Sequence, residues 1–161
     1  MEELLLTKPE SLPELVFAPR RDRYAMNLIH TPNDRAYSVN GATWLPGQST
    51  PIHDHLTWAI VGLYDGEERE SIYRRTDDGS NPKVAELELA SEKINQSGHI
   101  TVLGRAGIHR IDNVSISPSK SIHVYGVDVG NEERHSYNPV TGEINKFVSG
   151  YCNILREEDL D

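Results

Sequence analysis

From residue 24 onward the chain alternates short runs rich in β-branched and aromatic residues with clusters of Gly, Pro, Asn and Asp. Runs of the first kind occupy residues 24–29, 36–44, 58–64, 70–75, 100–103, 121–129 and 145–150. Between them stand Thr31-Pro-Asn-Asp, Leu45-Pro-Gly, Asp65-Gly, Asp77-Asp-Gly-Ser-Asn-Pro, Gly104 and Pro139-Val-Thr-Gly. In these clusters glycine supplies positive φ, proline presets φ, and Asn or Asp bonds its own backbone, so each cluster reads as a turn. Many short strands at fairly even spacing predict an all-β sandwich or barrel. Helix signals are few after the start. There Ser11-Leu-Pro-Glu offers an N-cap and a proline in the first turn.

The 161 residues suit one domain. A single domain over 1–161 is expected, with about 1–20 as a short N-terminal extension. The formal net charge is −9, from 25 acidic and 16 basic residues. Such a surface repels nucleic acid and anionic lipid, so neither is an expected partner. The lone Cys152 excludes an internal disulfide framework and fits a reducing compartment. No apolar run approaches a membrane span, and the acidic start MEELLLTKPES lacks the basic lead of a secretory signal. A cytoplasmic protein is expected. Self-association into a homo-oligomer stays open.

Pro51-Ile-His53-Asp-His55 carries the first chemistry. On a strand, positions i and i+2 share a face, so both imidazoles can aim at one point. A lone His-x-His pair is as often an accident of surface or core. Its surroundings narrow the choice. Gly47 precedes His53 by six positions and Gly66 closes the turn after it. Further on come Gly98, Ala106, and His109 followed by Asn113. These two stretches resemble the paired motifs of the cupins. That resemblance implies a double-stranded β-helix, a jelly-roll-like barrel, with His53, His55 and His109 as metal ligands. The glutamate usual in cupins would fall near Ala59 or Ile60, and neither can bind a metal. The implied site is three neutral imidazoles, which leave an ion its full charge and open positions for an anionic substrate. Imidazole suits zinc, copper, iron and nickel alike.

Ser121-Ile-His123-Val-Tyr125 places Ser, His and Tyr on one strand face. The spacing allows the serine hydroxyl to bond the imidazole and the imidazole to bond the phenol. A polar strip facing water, with Ile122 and Val124 inward, is the plainer reading of the same residues.

HDH, then IHR-x-x-N, then SIHVYG resemble the thiol dioxygenases, the cysteine dioxygenase family within the cupins. WLPGQSTPIHDH, Trp58, SIHVYG and FVSGYCN are closer to its bacterial branch, typified by 3-mercaptopropionate dioxygenase. The resemblance runs from about Tyr24 to Asn153. It implies a mononuclear Fe(II) enzyme whose partners are a small thiol and O2 and whose product is a sulfinate. It also implies a catalytic relay of Ser121, His123 and Tyr125 and a substrate-binding Arg134. Without the resemblance, Glu132-Glu133-Arg134-His135 reads as a solvated loop. Tyr24 and Trp58 are further candidates for the pocket wall, although aromatic residues on strands more often serve the core. His30, His99 and His135 fall outside the motifs and read as surface or hydrogen-bonded histidines.

Three departures matter. The long helical N-terminus common in the family is missing. No cysteine stands near Ala59 or Ile60 to crosslink Tyr125. Met26 occupies the position where one branch has an arginine and the other a glutamine, and methionine cannot bond a carboxylate. With Arg134 as the implied anchor, the expected substrate is a small mercapto carboxylic acid, with free cysteine a poor substrate. Two other classes share the metal: a three-histidine cupin dioxygenase that cleaves C–C bonds, and a non-enzymatic metal-binding cupin.

Overall fold

A computed structural model describes residue 12 and residues 14–154. Ser11 and Pro13, the expected start of the helix, lie outside the described residues. Glu14–Phe17, just after them, form one turn of 3-10 helix. All other regular structure among the described residues is β: β1 Ala25–His30, β2 Ser38–Trp44, β3 Ile52–Asp54, β4 Ala59–Asp65, β5 Glu67–Arg75, β6 Leu87–Gln96, β7 Ile100–Leu103, β8 Ile108–Asp112, β9 Ser119–Tyr125, β10 Arg134–Tyr137 and β11 Ile144–Phe147.

The strands form two antiparallel sheets. One has the order β1-β2-β9-β4-β7 and the other β11-β10-β3-β8-β5-β6. Successive strands repeatedly cross from one sheet to the other, as in a double-stranded β-helix. The expected all-β class holds.

Several strands stay hidden in the sequence, for different local reasons. β6, LELASEKINQ, is an edge strand paired only with β5, and most of its side chains face solvent. Its charged residues follow from that exposure, and they mask the strand. β3 has three residues, and β10 looks polar until β3 and β11 flank it. The Glu132-Glu133-Arg134-His135 run is thus no simple loop. Arg134 opens β10 and is buried.

β9 settles which way the Ser-His-Tyr strip points. Ser119, Ser121, His123 and Tyr125 are all buried, and His123 and Tyr125 line a cavity shared with histidines of the other sheet. The strip therefore faces inward, between the sheets. Ile122, on the opposite face, is also dry because Val16 and Phe17 of the helical turn cover it. Full burial of such a side chain contributes about 1.5–3 kcal/mol. The cover demands a close approach at Gly41, where any Cβ would collide with Val16.

The C-terminal segment is tied to β1. The Cys152 amide donates to the Met26 carbonyl at 2.8 Å, and the Asn153 side chain bonds both the amide and the carbonyl of Leu28. Tyr151 then joins Met26, Ala59, Leu103, Tyr125 and Val129 in one apolar cluster.

Candidate metal centre

β3 and β8 are neighbours in the six-stranded sheet, with His53 directly opposite His109. His55 lies one residue beyond the end of β3. The alternation of strand side chains turns His53 and His55 the same way. One ligand atom from each of His53, His55 and His109 falls within 4.8 Å of the others, and all three residues are buried.

Hydrogen bonds fix two of the rings. The His53 Nδ1–H donates to the Pro51 carbonyl at 3.0 Å, leaving Nε2 as a lone pair. The His109 Nδ1–H donates to Glu70 Oε1 at 3.2 Å, which makes Nε2 the ring nitrogen available to an ion. His53 Nε2 and His55 Nε2 stand 3.2 Å apart. Burial, and then the neighbouring histidines, hold His53 and His55 well below the usual imidazole range, so both are neutral. Two nitrogens at that separation have the spacing of imidazoles that share one ion at about 2.1 Å. The donor set fits a divalent cation, and among the described residues no carboxylate belongs to it.

The sequence reading missed Glu70, because one acidic residue on a strand reads as solvent-facing. Glu70 is 1% exposed and sits behind His109. Thr101 Oγ1 donates to its Oε2 at 2.9 Å and Asn95 Nδ2 at 3.1 Å, while Lys93 Nζ stands 3.7 Å away. Burial alone would raise its pKa. The bonds from His109, Thr101 and Asn95 outweigh that and hold it at about 2. Glu70 is therefore an anion that orients a metal-binding imidazole. Such outer partners typically add about 10–100-fold to metal affinity. Glu70→Ala is expected to lose that factor, read by competition with a chelator of known affinity.

Asp54, the residue between the two histidines, ties the end of β3 to β10. It accepts the backbone N–H of His135 at 2.9 Å, His135 Nδ1–H at 2.9 Å and the Tyr137 hydroxyl at 2.8 Å. Asn113, the last residue of the second motif, is structural. Its amide donates to the carbonyls of Trp44 and Ser117, each at 2.8 Å, and ties the loop before β9 to the end of β2.

On β9, Ser121 Oγ is 2.8 Å from His123 Nε2, and His123 Nδ1 is 2.8 Å from the Tyr125 hydroxyl. Burial takes His123 down to about 3, so its ring is neutral. Burial also raises the Tyr125 phenol well above its usual range and keeps it protonated. The Tyr125 ring packs on His55, with centroids 5.1 Å apart. Ala59 of β4 stands directly opposite Tyr125, so no sulfur faces the phenol from that position.

The narrow cavity beside the histidines is lined by Tyr24, Met26, Trp44, His53, His109, His123, Tyr125 and Arg134, among others. Arg134 is 3% exposed. Its Nη2 donates to Ser149 Oγ at 2.9 Å, its guanidinium lies 4.8 Å from the centre of the Phe147 ring, and its Nε has no hydrogen-bond partner. Trp58 is placed elsewhere. It is 44% exposed and its indole lies over Gly126, so it does not wall the cavity. Trp44 takes that role instead. It is 1% exposed, stacks between Tyr24 and His123, and has an unpartnered Nε1. Its place at the end of the 36–44 run, in phase with Ala42, was the available signal.

Among solved structures the chain is similar to the TT1209 protein from Thermus thermophilus, with 16% identity, 71% of this chain and 92% of that one covered, and a TM-score of 0.53. A protein with a double-stranded β-helix domain from Klebsiella pneumoniae matches with 13% identity, coverage of 73% and 89%, and a TM-score of 0.53. A recombinant oxalate oxidase in complex with glycolate matches with 18% identity, coverage of 74% and 63%, and a TM-score of 0.54. At these identities the likeness speaks for the fold alone. The family model for cysteine dioxygenase type I matches residues 17–138, a span that contains the three histidines, Glu70 and the whole Ser121-His123-Tyr125 chain, and the protein belongs to that family.

Proposed function

We propose that the protein is an iron-dependent thiol dioxygenase that converts a small mercapto carboxylic acid and O2 into the sulfinic acid, both oxygen atoms ending on sulfur. The carrying observation is that one narrow cavity gathers two of the three histidines, the phenol of a buried Ser-His-Tyr chain and a guanidinium with an unpartnered Nε. The reaction R–SH + O2 → R–SO2H balances without a further reductant. Ferrous iron, when bound, supplies a shared site for thiolate and dioxygen and a path for electrons between them.

The protein's residues do the rest. The histidines hold the cation without neutralising it, which favours an anionic sulfur. Arg134 presents a cation for the substrate carboxylate. Tyr24, Trp44 and Met26 narrow the cavity and exclude water. Met26 brings no donor to the carboxylate, so the anchoring falls to Arg134, and cysteine is a poor substrate. The protonated Tyr125 donates a hydrogen bond toward the reacting atoms, with His123 and Ser121 holding its position.

Oxygen uptake by the iron-loaded protein with a panel of small thiols tests the reading. A mercapto acid is expected to support uptake and yield a sulfinate. Uptake with a diketone and none with any thiol would instead mark a C–C cleaving dioxygenase. In Tyr125→Phe the fold and iron content are expected to persist while turnover falls roughly 10²-fold, about 2.7 kcal/mol, the usual cost of one transition-state hydrogen bond. Full turnover in that variant would return the Ser-His-Tyr strip to a structural role.

A further inference from the structure

Tyr24 is partly exposed, whereas every other residue that lines the narrow cavity is buried, so the cavity meets solvent beside Tyr24. The residues just before it are Arg20-Arg21-Asp22-Arg23, three cations and one anion in a chain whose net charge is −9. Asp22 takes up the charge of Arg20, its Oδ1 accepting from Nε at 2.9 Å and its Oδ2 from Nη2 at 3.1 Å. Arg21 and Arg23 are exposed. Two contacts hold the segment in place. Gln48 Nε2 donates to the Arg20 carbonyl at 2.9 Å, and Arg23 Nη1 donates to the Ser149 carbonyl at 3.5 Å.

Ser149 joins this surface arginine to the buried one. Its carbonyl accepts from Arg23, and its hydroxyl accepts from Arg134 Nη2 at 2.9 Å. Among the described residues both guanidiniums meet neutral partners and no carboxylate. Burial raises the Tyr24 phenol, and the charges of Arg134 and then Arg23 oppose that rise, so both fields reach the same point. Two uncompensated cations thus stand in succession, Arg23 in solvent and Arg134 at the cavity wall. Charge of one sign beside a low-dielectric cleft focuses the field and raises the local concentration of the opposite sign. The protein as a whole, being negative, repels the same anion, which makes a local positive path the favoured approach.

We propose that Arg23 is a capture residue for the anionic thiol, drawing its carboxylate from solvent to the mouth beside Tyr24 and passing it inward to Arg134. The inference rests on the thiol dioxygenase reading. The two cations have different work. Arg23 is solvated, so its pull acts over distance, speeds encounter and is screened by salt. Arg134 is enclosed, so it governs how long the bound acid stays. Loss of the Arg23 charge therefore slows association and leaves dissociation unchanged. A neutral thiol feels neither effect of Arg23.

Stopped-flow fluorescence of the full chain loaded with zinc, a redox-silent stand-in, reads binding without turnover, because Trp44 stands in the cavity wall against His123. The anionic probe is 3-mercaptopropionate and the neutral one N-acetylcysteamine. At about 0.01 M ionic strength, where the Debye length is about 30 Å, Arg23→Gln is expected to slow association of the acid roughly threefold to tenfold. At about 1 M, where that length is about 3 Å, parent and variant should converge. The neutral thiol should not distinguish them at either salt. Arg23→Lys keeps the charge and should restore most of the rate. Equal association of the acid with parent and Arg23→Gln at low salt would overturn the proposal. So would a loss that persists at high salt, one that Arg23→Lys does not recover, or a change confined to dissociation. If neither thiol binds the parent, the thiol dioxygenase reading fails and the inference falls with it. If both bind at rates indifferent to Arg23, the inference alone falls.

Discussion

Replacing His109 with alanine is expected to strip the protein of its metal. Among the described residues three imidazoles form the donor set, with no carboxylate beside them to compensate. If binding is worth on the order of 10 kcal/mol, an equal share per ligand is about 3 kcal/mol, or roughly a hundredfold in affinity. The loss has a second source, because His109 is the ring that Glu70 orients. Truncation leaves the buried Glu70 anion without one of its donors. Metal analysis of the purified variant should find little iron where the parent holds substoichiometric to full iron. Thermal melts give an independent check, since a ligand that binds only the folded state raises stability by mass action. Chelator should lower the midpoint of the parent and leave His109→Ala unchanged. A variant that keeps its iron at parental affinity would disprove the ligand set.

Arg134→Ala is expected to raise KM for a mercapto acid while changing little for a neutral thiol such as an N-acylated cysteamine or an alkyl thiol. Removing one member of a well-buried ion pair typically costs about 2–5 kcal/mol. In affinity that is about 30-fold to several thousandfold. The position supports the upper part of that range, because Arg134 is almost fully buried and braced by Ser149 and Phe147. A preorganised fork loses little freedom when it closes on a carboxylate. Arg134→Lys should recover only part of the loss, since a lysine keeps the charge but not the planar pair of donors. The contrast between charged and neutral thiols separates anchoring from damage to the fold, which would affect both alike. Unchanged kinetics in Arg134→Ala, or equal rates with charged and neutral thiols in the parent, would remove Arg134 from substrate binding.

Features that depend on periodicity and local chemistry could be read along the chain. Strand alternation makes residues two apart share a face, so His53 with His55, and Ser121 with His123 and Tyr125, were legible as aligned sets. Turn residues marked the edges of most strands. The absence of any acid at Ala59 or Ile60 was likewise visible without a structure. That both faces of β9 are dry was not, because that depends on a second sheet on one side and on the cover supplied by Val16 and Phe17 on the other. The packing of the sheets also turns Trp58 outward and Trp44 inward, although both sit in similar apolar runs. The buried acids were the least legible of all. Glu68, Glu70 and Glu88 look alike in a strand sequence, yet the first two are enclosed and the third faces solvent. Alternation says which residues share a face, but the dielectric around a charge, and so its pKa and its use, is set by strands distant in the chain.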